Sequence, residues 1–367
     1  MKNIRHSLKT FIGTCAVSTV CLALPAVAAP KVVASIAPVH SITAAILQGV
    51  AKPELLVEPS GSPHNTQLRP SQVTSLQQAD VIVWVGPNLE AFLDKPIDTL
   101  PKGANVLTLS EADGISFLPV REGGNWEKHD HDHDHGDHDH EAAHEHEHED
   151  HDHDAAHEHE HEDHDHDAAH EHEDEDHDHE TAHEHEHEGH DHEGHHDDPH
   201  IWLDPANAIK MAHAIAGELS EIDPEHKDRY LANETAFVKK MNAIVEKDSA
   251  KLKGLSDKPY FVFHDAYQYF ENRFDMHATG SITLHPGVNP GAARIREIRE
   301  KLKTAKAICL FAEPQFSPKI LNVLTEGTGA KVSTLDPIGA NLQPGPDLYP
   351  KLIEYNVNQL SGCLKEQ

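Results

Sequence analysis

The chain has 367 residues, enough for about two domains of ordinary size. Its formal net charge is −33, and no basic stripe of the kind that grips nucleic acid stands out. The charge is concentrated: between His129 and Asp198 stand 32 acidic residues and 27 histidines with no Lys or Arg, leaving 31 acidic against 30 basic residues elsewhere.

Met1 to about Ala28 has the anatomy of a secretory signal. Basic Lys2, Arg5 and Lys9 precede an apolar run from Phe11 to Leu24, and Ala26-Val27-Ala28 supplies a small-residue cleavage site. The run is too short for a bilayer span, so a soluble, exported mature chain is expected. Cys15 and Cys21 leave with the signal. Cys309 and Cys363 remain, and an even pair in an exported protein reads as a disulfide tying the C-terminal tail to a buried strand; two unpaired thiols are the alternative.

Short β-branched runs at Lys31–Ala37, Glu54–Val57, Val81–Val85 and Asn105–Leu109 read as buried strands of a first α/β lobe. Ser71–Ala79 reads as a helix. The tract 129–198 repeats Ala-Ala-His-Glu-His-Glu from Ala142, Ala155 and Ala168, and has almost nothing apolar to bury, so disorder is expected there. Globular sequence resumes at Pro199. A helix follows over Pro205–Ser220, with Asp204 as N-cap and Pro205 in the first position.

From Pro224 to about Leu252, Tyr230, Phe237, Met241, Ile244 or Val245, and Leu252 mark one face of a long helix. Four more strands are expected at Tyr260–Phe263, Ala278–Ile282, Ala307–Phe311 and Lys331–Leu335. The expected division is a signal over 1–28, an N-terminal lobe over 29–223 interrupted by the His-rich tract, a connecting helix over 224–254, and a C-terminal lobe over 255–367. The fold class is therefore α/β: two lobes with small, mainly parallel sheets joined by one long helix, with a site in the cleft between them.

Open α/β sheets bind ligands where strands end. His64 lies in the turn-rich Pro59-Ser60-Gly61-Ser62-Pro63-His64 after a strand, His264 ends Tyr260-Phe261-Val262-Phe263, and His200 precedes a helix. Three imidazoles make an acceptable tetrahedral Zn²⁺ site with one position to spare. Taken singly, each has a plainer reading: a hydrogen-bonded structural residue, a loop residue, or the last member of the tract. Their spacings match no compact metal motif.

The chain resembles the periplasmic zinc-binding components of high-affinity zinc ABC transporters, within the metal-binding solute-binding proteins. The resemblance rests on Ser62-Pro63-His64 with Leu68-Arg69-Pro70-Ser71, on Ala79-Asp80-Val81-Ile82-Val83-Trp84-Val85-Gly86-Pro87, and on His200-Ile201-Trp202-Leu203-Asp204-Pro205. It continues through Phe261-Val262-Phe263-His264-Asp265-Ala266-Tyr267, Phe311-Ala312-Glu313-Pro314-Gln315-Phe316 and Leu335-Asp336-Pro337. It implies Zn²⁺ as transported cargo rather than catalytic cofactor, a membrane permease as partner, and a monomer. It maps the metal ligands onto His64, His200 and His264, and matches Cys309 and Cys363 to a disulfide. Manganese-binding relatives place a carboxylate where His264 stands, which argues for zinc. Some zinc members carry Glu before the first histidine, where Pro63 offers no donor. The fourth position then falls to water or to Asp336, whose plainer reading is a capping or turn residue before Pro337. Asp265 could orient His264, and Glu313 could line the cleft or pair with an Arg; His40, His277 and His285 read as surface or hydrogen-bonding residues.

Alternating His with Asp or Glu suits collection of several zinc ions, and residues 129–198 read as a scavenger or sensor; the plainer reading is a solvated charge run. A zinc hydrolase is the competing enzyme class, but there is no HExxH helix and no GxSxG nucleophile elbow, and no enzyme is expected. A periplasmic zinc store or metallochaperone is the other alternative.

Overall fold

Strands covered on both faces read as unbroken apolar runs, which holds for the inner two of the four strands that build the first sheet. These are β1 (Val32–Ala34), β2 (Glu54–Leu55), β3 (Val81–Trp84) and β4 (Asn105–Thr108), in the order β2-β1-β3-β4 and all parallel. Helix α1 (Ala37–Ile46) and α2 (Pro70–Gln77) make the crossovers. Two short helices, α3 (Pro87–Glu90) and α4 (Asp94–Asp98), follow β3. Gly86 sits at φ 144, and a Cβ there would meet Ser110 Oγ at 2.5 Å, so the turn out of β3 requires glycine. Buried Glu90 accepts the Val85 and Gly86 N–H groups, and burial pushes its carboxyl up to about 7.

The computed structural model describes residues 29–64, 66–100, 103–121, 126, 197–283, 291–314 and 318–365. The expected signal segment, the His-rich tract through residue 196, and His285 lie outside them.

The chain re-enters at Asp197 and forms α5 (Pro205–Ile222), capped by the Asp204 side chain accepting from Ala206 N, as expected. Helix α6 (Lys227–Leu252) follows; it buries Tyr230, Phe237, Met241, Ile244 and Leu252, and its outer face is mostly polar or alanine, with Leu231 exposed. The second sheet repeats the first in topology. Strands β5 (Tyr260–His264), β6 (Gly280–Thr283), β7 (Cys309–Ala312) and β8 (Lys331–Thr334) run in the order β6-β5-β7-β8, all parallel. Helices α7 (Gln268–Phe274), α8 (Ala292–Thr304), α9 (Pro318–Thr325) and α10 (Leu348–Lys365) cover it. The α/β class and the two parallel sheets are thus as the sequence predicts.

Helix α6 is fastened to both lobes. Asn233 donates to Ile46 O and Gln48 O in the first. Toward the second, Phe237 meets Tyr349 at 6.2 Å between ring centroids, and Lys240 and Lys247 pair with Asp347 and Glu354, each at 2.6 Å. Those exposed pairs each add little; the buried apolar face holds the helix. Cys309 in β7 and Cys363 in α10 form a disulfide, with Cα atoms 6.3 Å apart.

Candidate metal centre

Two sheets whose strands end toward each other place strand-terminal residues in one cleft. His264 is the last residue of β5, beside Thr283 of β6. His64 comes from the loop after β2. His200 sits just before the 3-10 turn Ile201–Leu203 that leads into α5. Trp202 packs on the His200 ring at 5.3 Å between centroids, and its indole N–H donates to Pro337 O. His200 and His264 are buried; His64 is half-buried.

The three rings converge through Nε2. His200 Nε2 lies 3.1 Å from His64 Nε2 and 3.3 Å from His264 Nε2, and the ligating atoms of all three lie within 4.8 Å of one another. An ion held tetrahedrally about 2.0–2.1 Å from each imidazole nitrogen spaces those nitrogens about 3.3 Å apart. The group can therefore hold such an ion with little rearrangement.

The far side of each buried ring explains why Nε2 faces inward. His200 Nδ1 is 2.7 Å from Asp198 Oδ1, and His264 Nδ1 is 2.6 Å from Glu313 Oε1. A carboxylate behind Nδ1 takes the N–H of the neutral ring, leaves the Nε2 lone pair for a metal, and fixes the ring plane. Burial depresses the His200 pKa well below its usual value, with the neighbouring His264 adding to the effect. For His264 burial also lowers the pKa, but the charge and hydrogen bond of Glu313, with the charges of Asp265 and Asp198, outweigh it and the net shift is upward. Burial pushes the Asp198 carboxyl up to about 7, opposed by the His200 N–H, Arg121 and His264.

Asp336 does not join the group. Its Oδ1 accepts from the N–H groups of Ile338 and Gly339, and its own N–H donates to Asn356, so it organises the turn after β8. Asp265 does not orient His264 either: its carboxylate is gripped by Arg121, whose Nε lies 3.0 and 3.1 Å from the two oxygens. Arg121 also reaches Glu271 at 2.6 Å and lies over Trp126, 3.7 Å from the ring centroid. Glu313 is the residue that holds His264. His40 is buried with Nε2 against Pro53 O, and His277 is exposed near Asp275.

Asp198 and Arg121 carry no signal of their own in the sequence. Asp198 reads there as the last acid of the tract, although Asp198-Pro199-His200 is a spacing at which a carboxylate can fold back onto the next-but-one ring.

The chain matches the model of the family described as "Zinc-uptake complex component A periplasmic" over residues 32–363. It is 46% identical over 366 residues to the high-affinity zinc uptake system protein ZnuA of Brucella suis, covering 100% of both chains. Identity to the protein of the same name from Yersinia pestis is 35%, over 92% of each chain. Among solved structures, a crystal structure of ZnuA superposes with a TM-score of 0.64 at 20% identity, over 91% of this chain and 99% of that one. That likeness concerns the fold.

Proposed function

Because the chain belongs to the family of periplasmic zinc-uptake complex components, we propose that it captures Zn²⁺ in its cleft through His64, His200 and His264 and delivers it to the membrane permease of an ABC transporter. The observation that carries this reading is the convergence of three Nε2 atoms at 3.1 and 3.3 Å, two of them backed by carboxylates. Imidazole suits zinc, and the two carboxylates balance the ion's charge without occupying its coordination sphere. Water takes the fourth position, since Pro63 has no donor and the Asp336 carboxylate serves its own turn.

His64 and His200 belong to the first lobe and His264 to the second, so the cargo is itself a cross-lobe link. Separating the lobes by a small amount removes one ligand of three, which is a means of release at a permease. The chain acts as a periplasmic monomer that carries its cargo and transforms nothing. Residues 129–198 collect zinc at low affinity and hand it on to the three histidines.

In a host strain lacking this chain and starved of zinc by a chelator, the intact protein is expected to restore growth and uptake of radiolabelled zinc, and His200→Ala to restore neither. A strain that takes up zinc equally well without the protein would leave storage, not delivery, as its role.

Glu313→Gln is expected to weaken zinc binding about 10–100-fold, the usual cost of losing the partner behind a ligating imidazole. The pH profile gives a second readout. Glu313 holds a proton on the metal-free His264 to higher pH, and zinc must displace that proton. Measured against its own high-pH plateau, the weaker affinity of the variant should therefore begin to fall at lower pH than that of the intact protein. Chelator competition between pH 5 and 8 measures both; an unchanged profile would show that Glu313 does not act on His264.

A further inference from the structure

Residues 118–119 and 197–198, on either side of the segment 127–196, lie together. Pro119 and Asp197 form an antiparallel bridge, and Asp198 N donates to Leu118 O at 2.9 Å. One side chain from the other lobe joins both strands of this stem. The hydroxyl of Tyr269, in α7, accepts from Leu118 N at 3.0 Å and donates to Asp198 O at 2.8 Å. The ring is buried, 2% exposed.

The joined residue is the one behind a metal ligand. Asp198 is held at its N–H by Leu118 and at its carbonyl by Tyr269. From that fixed backbone its Oδ1 accepts both from His200 Nδ1 at 2.7 Å and from His200 N at 3.0 Å. Helix α7 follows directly on the loop from His264, and it also supplies Glu271 to Arg121 on the outgoing strand and Arg273 to Asp204 beyond His200. One helix thus registers the stem of the insertion against the strand end that bears the third histidine.

We propose that Tyr269 is a positioning residue for zinc: its hydroxyl staples the two strands of the stem and so holds Asp198 on His200. This rests on the zinc reading of the three histidines. Without the hydroxyl, Leu118 N–H and Asp198 C=O lose their shared partner, and the Asp198 backbone keeps only its bond to Leu118 O and the neighbouring Pro119–Asp197 bridge. The His200 ring then keeps its place in the chain but loses its fixed orientation. The Glu313–His264 pair shares no bond with the staple and stays as it is.

The test uses the full chain with one equivalent of metal, so that the tightest site fills first. Zinc affinity is read by chelator competition. Ring orientation is read from the exchangeable imidazole N–H resonances of the Co²⁺-loaded protein, with Asp198→Asn and Glu313→Gln assigning the signals of His200 and His264. Tyr269→Phe, which keeps the buried ring, is expected to weaken zinc binding about tenfold, at the low end for a supporting partner. It is also expected to shift or broaden the His200 signal while leaving that of His264 in place. Unchanged affinity with both signals unmoved would overturn the proposal. So would a uniform loss of both signals with a lower melting temperature of the metal-free protein, which marks general loosening of α7. If the unsubstituted chain holds no zinc tightly, the reading of the histidines fails first and the staple with it.

Discussion

His264→Ala is expected to weaken the tight zinc site about 150- to 4,000-fold. Structural zinc sites contribute about 10–16 kcal/mol, so one imidazole of three accounts for roughly 3–5 kcal/mol, and about 1.4 kcal/mol is tenfold. The loss is large here for two local reasons. In the proposed site His264 is the single ligand supplied by the second lobe, so its removal would also end the cross-lobe link. It leaves Glu313, 3% exposed, without the N–H it accepts, and a buried carboxylate without its partner is costly. Thermal unfolding provides a second measure. Zinc at 100 times its Kd stabilises the native state by about 2.7 kcal/mol, and most of that shift should vanish in the variant. Survival of the tightest site in His264→Ala would move high-affinity binding out of the cleft and into the histidine tract.

His264 stands out in the sequence by a simple physical rule: a parallel sheet exposes the carboxyl ends of its strands, and Tyr260-Phe261-Val262-Phe263 is an unmistakable buried strand. All eight strands are legible for the same reason, with small errors at their ends. The β-branched run over Lys31–Ala37 carries the first strand too far, since Ala37 already belongs to α1. That helix leaves no amphipathic signature, because all its residues except Ala45 are buried, and a helix buried all round shows no stripe. The rings that could hold a metal are legible; what holds the rings is legible only in part. Glu313 is a candidate for the cleft without a partner, and it lies 49 residues from His264. Asp265 is an attractive orienter because it adjoins His264, yet successive strand residues face opposite ways, and it turns to Arg121 instead. Arg121, Asp198 and Tyr269 meet their partners across 144, 71 and 151 residues. No periodicity registers such pairs, since they arise from how two separately legible lobes dock.

Replacing both cysteines, Cys309→Ala with Cys363→Ala, is expected to remove about 4 kcal/mol of stability. The bond closes a loop with a sequence separation of 54, and the chain-entropy model gives about that value for a loop of this length. For a body of this size the unfolding midpoint should fall by roughly 8–16 °C. The effect on zinc should be far smaller. Cys309 begins β7 and Glu313 follows directly after it, so the bond anchors the strand that presents the carboxylate to His264. But β7 is an inner strand, paired along its length with β5 on one side and β8 on the other. Those ladders keep the strand in register once the bond is gone, and they do not depend on α10. Calorimetric unfolding and chelator competition on the same double variant separate the two quantities. A lower midpoint with affinity within a few-fold would show that the disulfide secures the lobe and the sheet secures the site. A collapse of affinity with an unchanged midpoint would show the reverse: that α10, through Cys363, sets the position of Glu313.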